Sequence, residues 1–113
     1  MMFKSKIHRA TLSGVKLAYE GSIAIDEALM EAADLLPSEQ VDVLNCNNGE
    51  RLTTYVIKGK RGSGTIELRG PAARQGYAGD PVIIVSYCAL PDADARKHKP
   101  VIVRVDEKNR IVS

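Results

Sequence analysis

Val82-Ile83-Ile84-Val85-Ser86-Tyr87-Cys88-Ala89-Leu90 is the most apolar run of the chain and reads as a central strand. Outward from it, period-2 alternation recurs. Phe3 to Leu12 sets Lys4, Lys6 and His8 on one face and Phe3, Ser5 and Ile7 on the other. Val15 to Glu20 reads as a second strand stopped by Gly21. Val41 to Asn45 and Leu52 to Lys58 form a hairpin, because Asn48-Gly49 between them suits the positive backbone angles of a tight turn. Gly62 and Gly64 frame a turn before the strand Thr65 to Leu68. Val101 to Val105 and Ile111-Val112 suggest a last hairpin around Glu107-Lys108-Asn109. One stretch has helical spacing: Ile25, Leu29, Ala32, Ala33 and Leu36, with Asp26 as N-cap and Pro37 as stop. Asp92 to His98, after Pro91, suggests a short helical turn. Many short strands with few helices predict a mainly β protein closed into a barrel, since closure removes exposed edges.

The 113 residues fit one domain, residues 1–113, small enough that burial between subunits would help it. Hydrophobic residues at 44% and charged residues at 27% argue against disorder. A net charge of +2, a single Phe and no Trp argue against nucleic acid or an acidic membrane as partner. Cys46 and Cys88 have neither metal-ligand nor redox spacing, so no metal is expected. Lys4, Lys6, His8 and Arg9 near the N-terminus precede no apolar run, unlike a signal peptide. No stretch approaches the roughly 18 apolar residues of a membrane span. A cytoplasmic protein is expected.

Tyr19-Glu20-Gly21-Ser22 is the stretch with distinctive chemistry. Alone it reads as a turn with Ser22 near an N-cap. A serine hydroxyl can nevertheless attack the preceding carbonyl, moving the chain from nitrogen to oxygen as an ester. Glycine leaves that carbonyl open and tolerates a strained backbone. β-Elimination of the ester gives dehydroalanine, and hydrolysis then releases ammonia and leaves a pyruvoyl cap. The ester oxyanion needs a donor.

Lys6-Ile7-His8-Arg9-Ala10-Thr11, then Tyr19-Glu20-Gly21-Ser22 with Ala24-Ile25-Asp26, resembles the N-terminal half of bacterial pyruvoyl-dependent aspartate 1-decarboxylases. The likeness continues through Asn48-Gly49-Glu50-Arg51-Leu52-Thr53-Thr54-Tyr55, Arg61-Gly62-Ser63-Gly64, Gly70-Pro71-Ala72-Ala73-Arg74 and Gly79-Asp80. The resemblance implies a double-psi β-barrel with one main short helix and short helical turns, assembled as a homotetramer. It implies self-cleavage into a β chain, Met1 to Gly21, and an α chain, Ser22 to Ser113. Ser22 would become the pyruvoyl group that forms a Schiff base with L-aspartate, without pyridoxal phosphate or metal. The products would be β-alanine and CO2, for pantothenate and coenzyme A biosynthesis.

By the same resemblance, Gly21, Ser22 and Thr54 serve processing, with the Thr54 hydroxyl assisting the ester step. Lys6 and Arg51 bind the substrate carboxylates, Tyr55 donates the proton, and Gly70, Pro71 and Ala72 contact substrate. His8 and Tyr19 match residues near the cleavage site and pocket. Without the resemblance, Lys6 and Arg51 are solvated strand charges and Thr54 is a β-branched strand residue. Tyr55 lies four residues after Arg51, so both project to one face of a strand. Whether cleavage is spontaneous or uses a maturation factor stays open.

The chain departs from the family at Arg69, where relatives usually carry Asn, and at Pro71, where they carry Ala. Arg69 either adds a carboxylate contact or fills space. It gives the competing reading, a non-cleaving double-psi barrel acting as a structural or binding subunit, its only support.

Overall fold

The computed structural model describes residues 1–17 and 21–112. The strands are β1 (Met2–Thr11), β2 (Gly14–Lys16), β3 (Ser22–Asp26), β4 (Gln40–Asn45), β5 (Arg51–Gly59), β6 (Ile66–Arg69), β7 (Pro81–Cys88) and β8 (Val101–Arg104). Two short helices, α1 (Glu27–Ala32) and α2 (Asp92–Ala95), and a 3₁₀ helix, Gly70–Gln75, complete the described secondary structure.

All eight strands share one sheet in the order β2-β6-β3-β5-β4-β7-β1-β8. The sheet closes because β2, at one end, is the direct continuation of β1, next to the other end. Ser13 between them donates its backbone N–H to the Ile66 carbonyl at 2.8 Å, handing the chain from β7's neighbour to β6. The protein is thus mainly β, with the architecture of a barrel. β7 pairs with β4 and β1 on its two sides, which explains why the most apolar run is central.

Alternate positions fill the interior. Ile7, Ile23, Ile25, Val56, Ile66 and Val82 are all fully buried, and each such side chain contributes roughly 1.5–3 kcal/mol on burial. In β1, Ser5 and Ile7 face inward while Lys4, Lys6 and His8 are half-buried, as the alternation predicts. A register shift between Phe3 and Ser5 takes Phe3 out of the inward set and leaves it half-buried, its ring beside Lys6. The expected hairpin of β4 and β5 is present, with Asp42 opposite Thr53.

Several elements differ from expectation. The helix starts only at Glu27, and Ile25 belongs to β3, whose five residues are all buried. Apolar residues on both faces of β3 imitate a helical stripe. Leu36 does not join an apolar helix face and is 67% exposed. Asp26 does cap α1, its carboxylate accepting the Ala28 N–H at 2.8 Å. The same carboxylate accepts the N–H groups of Gly62 and Gly64 at 3.0 and 2.9 Å. Gly64 has φ +72°, and a Cβ there would come within 2.6 Å of the Lys108 carbonyl oxygen, so glycine is required. The expected strand Val15 to Glu20 is β2, ending at Lys16; residues 18–20 lie outside the described residues. The last hairpin is present as expected but short. Val105 bridges Ile111, the Asp106 N–H donates to the Arg110 carbonyl at 2.9 Å and the Val112 N–H to the Arg104 carbonyl at 2.8 Å, while β8 also pairs parallel with β1.

Candidate active site

Ser22 is the first residue of β3, 3% exposed, and its partner across the antiparallel ladder is Arg69 of β6. On its other side β3 runs parallel to β5, Ile23 beside Val56, which sets Tyr55 one residue back along β5 at the start of β3. β5 pairs with β3 only from Val56 to Gly59, whereas its first half, Arg51 to Tyr55, pairs with β4 alone. The free edge of that half borders a cavity.

The cavity, about 350 Å³, is lined by Gly21, Thr54, Tyr55, Pro71, Ala72 and Gln75, with Leu52 and Thr53 at its margin. Its size falls within the ~300–1,000 Å³ typical of small-molecule sites. The 3₁₀ helix supplies its roof: Gly70, buried with φ +65°, turns the chain so that Pro71 and Ala72 face Gly21. The nearest atom to where a Gly21 side chain would begin is Pro71 Cδ, at 3.6 Å. Gly21 therefore borders the cavity and lies beside the Pro71 ring. Thr54 shares the core-side face of β5 with fully buried Val56, and Tyr55, 36% exposed, lies on the opposite face with Arg51.

Lys6 and Arg51 do not line this cavity. Both lie on the outer face of the sheet, where the registers Lys6–Val85, Val85–Asp42 and Asp42–Thr53 form a row across β1, β7, β4 and β5. Arg51 Nη2 donates to Asp42 Oδ2 at 3.0 Å and to the Tyr87 hydroxyl at 2.9 Å. The Lys6 ammonium sits 5.9 Å from the centre of the Phe3 ring. Tyr55 is the one predicted residue that both borders the cavity and shares the face of Arg51.

His8 lies elsewhere, in a larger hollow of about 480 Å³ with Arg9, Thr11, Arg104, Asp106 and Glu107. That hollow holds none of the predicted processing residues, so chemistry favours the smaller cavity. His8 Nδ1 is buried and makes no hydrogen bond among the described residues. Burial, reinforced by the charges of Lys6, Arg104 and Arg9, holds the His8 imidazole below its usual pKa, favouring the neutral ring. Tyr19 lies outside the described residues.

Asp42, Tyr87 and Glu67 are site neighbours that sequence reasoning did not single out. The hairpin register would have found Asp42, opposite Thr53 and two residues from the Arg51 pairing. No local signal points to Tyr87, 36 residues beyond Arg51. Glu67 accepts from Arg69 Nε at 2.6 Å, the i, i+2 contact of one strand face. Among the described residues no three His, Cys, Asp or Glu side chains cluster as a metal site, and no helix is long and apolar enough to cross a membrane.

The family model described as "Aspartate decarboxylase" matches residues 1–112. The chain is 60% identical to the aspartate 1-decarboxylase of Syntrophus aciditrophicus, over 98% of this chain and 96% of the relative. It is 59% identical to the aspartate 1-decarboxylase of Pelotomaculum thermopropionicum, over 98% and 84% of the two chains. Against the aspartate 1-decarboxylase of Thermoanaerobacter pseudethanolicus the identity is 54%, over 99% and 96%. With Gly21 lining a small cavity, Ser22 buried beside it, and relatives of this likeness along its whole length, the chain belongs to the aspartate decarboxylase family.

Proposed function

We propose that this protein decarboxylates L-aspartate to β-alanine and CO2, in the cytoplasmic route to pantothenate and coenzyme A, after cleaving itself between Gly21 and Ser22. The observation that carries the reading is the single cavity shared by Gly21, Thr54, Tyr55, Pro71 and Ala72. The arrangement fits the formation of a pyruvoyl group. Ser22 is held in a strand, while Gly21 borders the cavity. Ser22 Oγ attacks the Gly21 carbonyl carbon, and the Thr54 hydroxyl donates toward the oxyanion. The peptide C–N bond breaks as the amine takes a proton. Elimination across Cα–Cβ of Ser22 releases the Gly21 carboxylate. One water then replaces the nitrogen, which leaves as ammonia.

A pyruvoyl group supplies a ketone that takes the substrate amine and accepts the electrons freed when the carboxylate leaves. The chain's own residues do the rest. Arg51 and Lys6 bind carboxylates, Arg51 with a planar fork and Lys6 as a point charge. Tyr55, at the cavity edge on the Arg51 face, returns the proton to the carbon that lost CO2. Gly70, Pro71 and Ala72 close the cavity over the substrate, and His8 and Tyr19 support the site.

Lys6 belongs to β1, separated from β5 by β7 and β4, roughly 14 Å along the sheet at about 4.8 Å per strand. That separation and the exposed Val101, Tyr77 and Leu17 support a homotetramer in which packing between α and β chains of neighbouring subunits completes each site. A maturation factor would act on the Gly21–Ser22 bond before this stage.

A second reading, a non-cleaving structural or binding subunit, draws on one observation: Arg69 stands opposite Ser22. The deciding experiment incubates purified protein with L-aspartate and follows CO2 and β-alanine. Equal release of both supports the enzyme. Neither product from protein that has split after Gly21 would sink it.

A further inference from the structure

We propose that Asp42 and Tyr87 are positioning residues that hold the Arg51 guanidinium in the orientation that receives a substrate carboxylate. The proposal rests on the reading of Arg51 as a substrate cation and assigns what aims it.

Three strands converge on one side chain. Asp42 of β4 accepts from Arg51 Nη2 at 3.0 Å, and Tyr87 of β7 accepts from the same nitrogen at 2.9 Å. The Asp42 carboxylate is itself fixed at its other oxygen, where the Thr53 hydroxyl of β5 donates at 2.8 Å. An exposed ion pair between two mobile side chains contributes little. Here the carboxylate is mostly covered, at 17% side-chain exposure, whereas the arginine side chain is 56% exposed. The anchor is held down and the cation faces outward.

The guanidinium is rigid and planar, so two acceptors on one nitrogen fix its plane. Both contacts fall on Nη2, and Nε and Nη1 make no hydrogen bond among the described residues. Those two groups keep N–H donors for an incoming carboxylate. Asp42 must stay ionised for this. Burial alone would raise its pKa, but the hydrogen bonds from Thr53 and Arg51 outweigh it and hold the carboxyl below the usual range. Arg51 and Tyr55 also share a face of β5, so aiming Arg51 sets where a substrate lies relative to the proposed proton donor.

The test compares Asp42→Asn, Tyr87→Phe, Arg51→Ala and the double variant Asp42→Asn/Arg51→Ala in mature, split protein, with a thermal melt and an intact mass for each. Asp42→Asn is expected to raise the KM for L-aspartate about tenfold, the scale of one charge-assisted bond, with kcat and chain splitting little changed. Tyr87→Phe should raise KM less, and Asp42→Glu should recover part of the loss. In the Arg51→Ala background Asp42→Asn should add nothing, since its effect passes through Arg51. An unchanged KM in both Asp42→Asn and Tyr87→Phe overturns the proposal alone, provided Arg51→Ala raises KM. So does a KM increase from Asp42→Asn of equal size with and without Arg51. An unchanged KM in Arg51→Ala removes the underlying reading of Arg51 and this proposal with it.

Discussion

Ser22 opens β3 directly across the ladder from Arg69, so the serine of the proposed cleavage site shares a sheet face with a guanidinium bound to Glu67. Cross-strand partners of this kind have Cβ atoms about 4.5–5.5 Å apart. The Arg69–Glu67 pair is largely covered, at 23% and 15% side-chain exposure. Arg69→Asn is therefore expected to lower stability by about 1–3 kcal/mol, because Glu67 loses a charged partner in a covered position. Urea unfolding measures this, and Glu67→Gln in the same chain should recover part of it. Splitting at Gly21 should persist, since the substitution leaves Gly21, Ser22 and Thr54 in place. Unchanged stability would make the pair an ordinary solvated contact.

Ser22→Ala should fold, remain one chain and release no CO2 from aspartate. The substitution removes one hydroxyl from a buried position and leaves the β3 ladder in place. Turnover at the normal rate by this variant would defeat the chemistry assigned to Ser22.

Thr54→Val keeps the β-branched shape of a strand residue beside Val56 and removes only the hydroxyl. Splitting should slow by about 10²-fold or more, the usual loss for one oxyanion donor. A time course by denaturing gel reads the rate. Splitting at an unchanged rate would take Thr54 out of the ester step.

Asp26 links the start of α1 to the turn at Gly62 and Gly64. Burial works against its charge, but the N–H groups of Gly64, Ala28 and Gly62 outweigh it and depress the carboxyl below its usual 3.8. A depressed native pKa adds stability that is fully present above 3.8 and is lost as pH falls through the lower native value. Asp26→Ala should cost about 1–3 kcal/mol near neutral pH. Asp26→Asn should flatten the acid limb of the stability curve. An acid limb identical to that of the unaltered chain would exclude Asp26 as a contributor.

Much of the barrel was legible because its strands alternate cleanly. Lys4, Lys6 and His8 against Ser5 and Ile7, and the Asn48-Gly49 hairpin, carry their own periodicity and turn chemistry. β3 escaped notice because Ile23, Ala24 and Ile25 are buried on both faces, which erases the period that distinguishes strand from helix. The parallel pairing of β8 with β1 joins residues about a hundred positions apart, beyond any local signal. At the site, resemblance supplied Gly21, Thr54, Tyr55, Pro71 and Ala72, which one cavity gathers. It did not supply Asp42 or Tyr87, whose contact with Arg51 depends on three strands lying side by side.

The intact mass of purified protein after prolonged warm incubation is the most direct measurement. The expected result is two pieces, Met1 to Gly21 and Ser22 to Ser113, the larger lighter than a serine-started chain by the elements of ammonia. A preparation that turns over aspartate yet shows only the single uncleaved mass would contradict it.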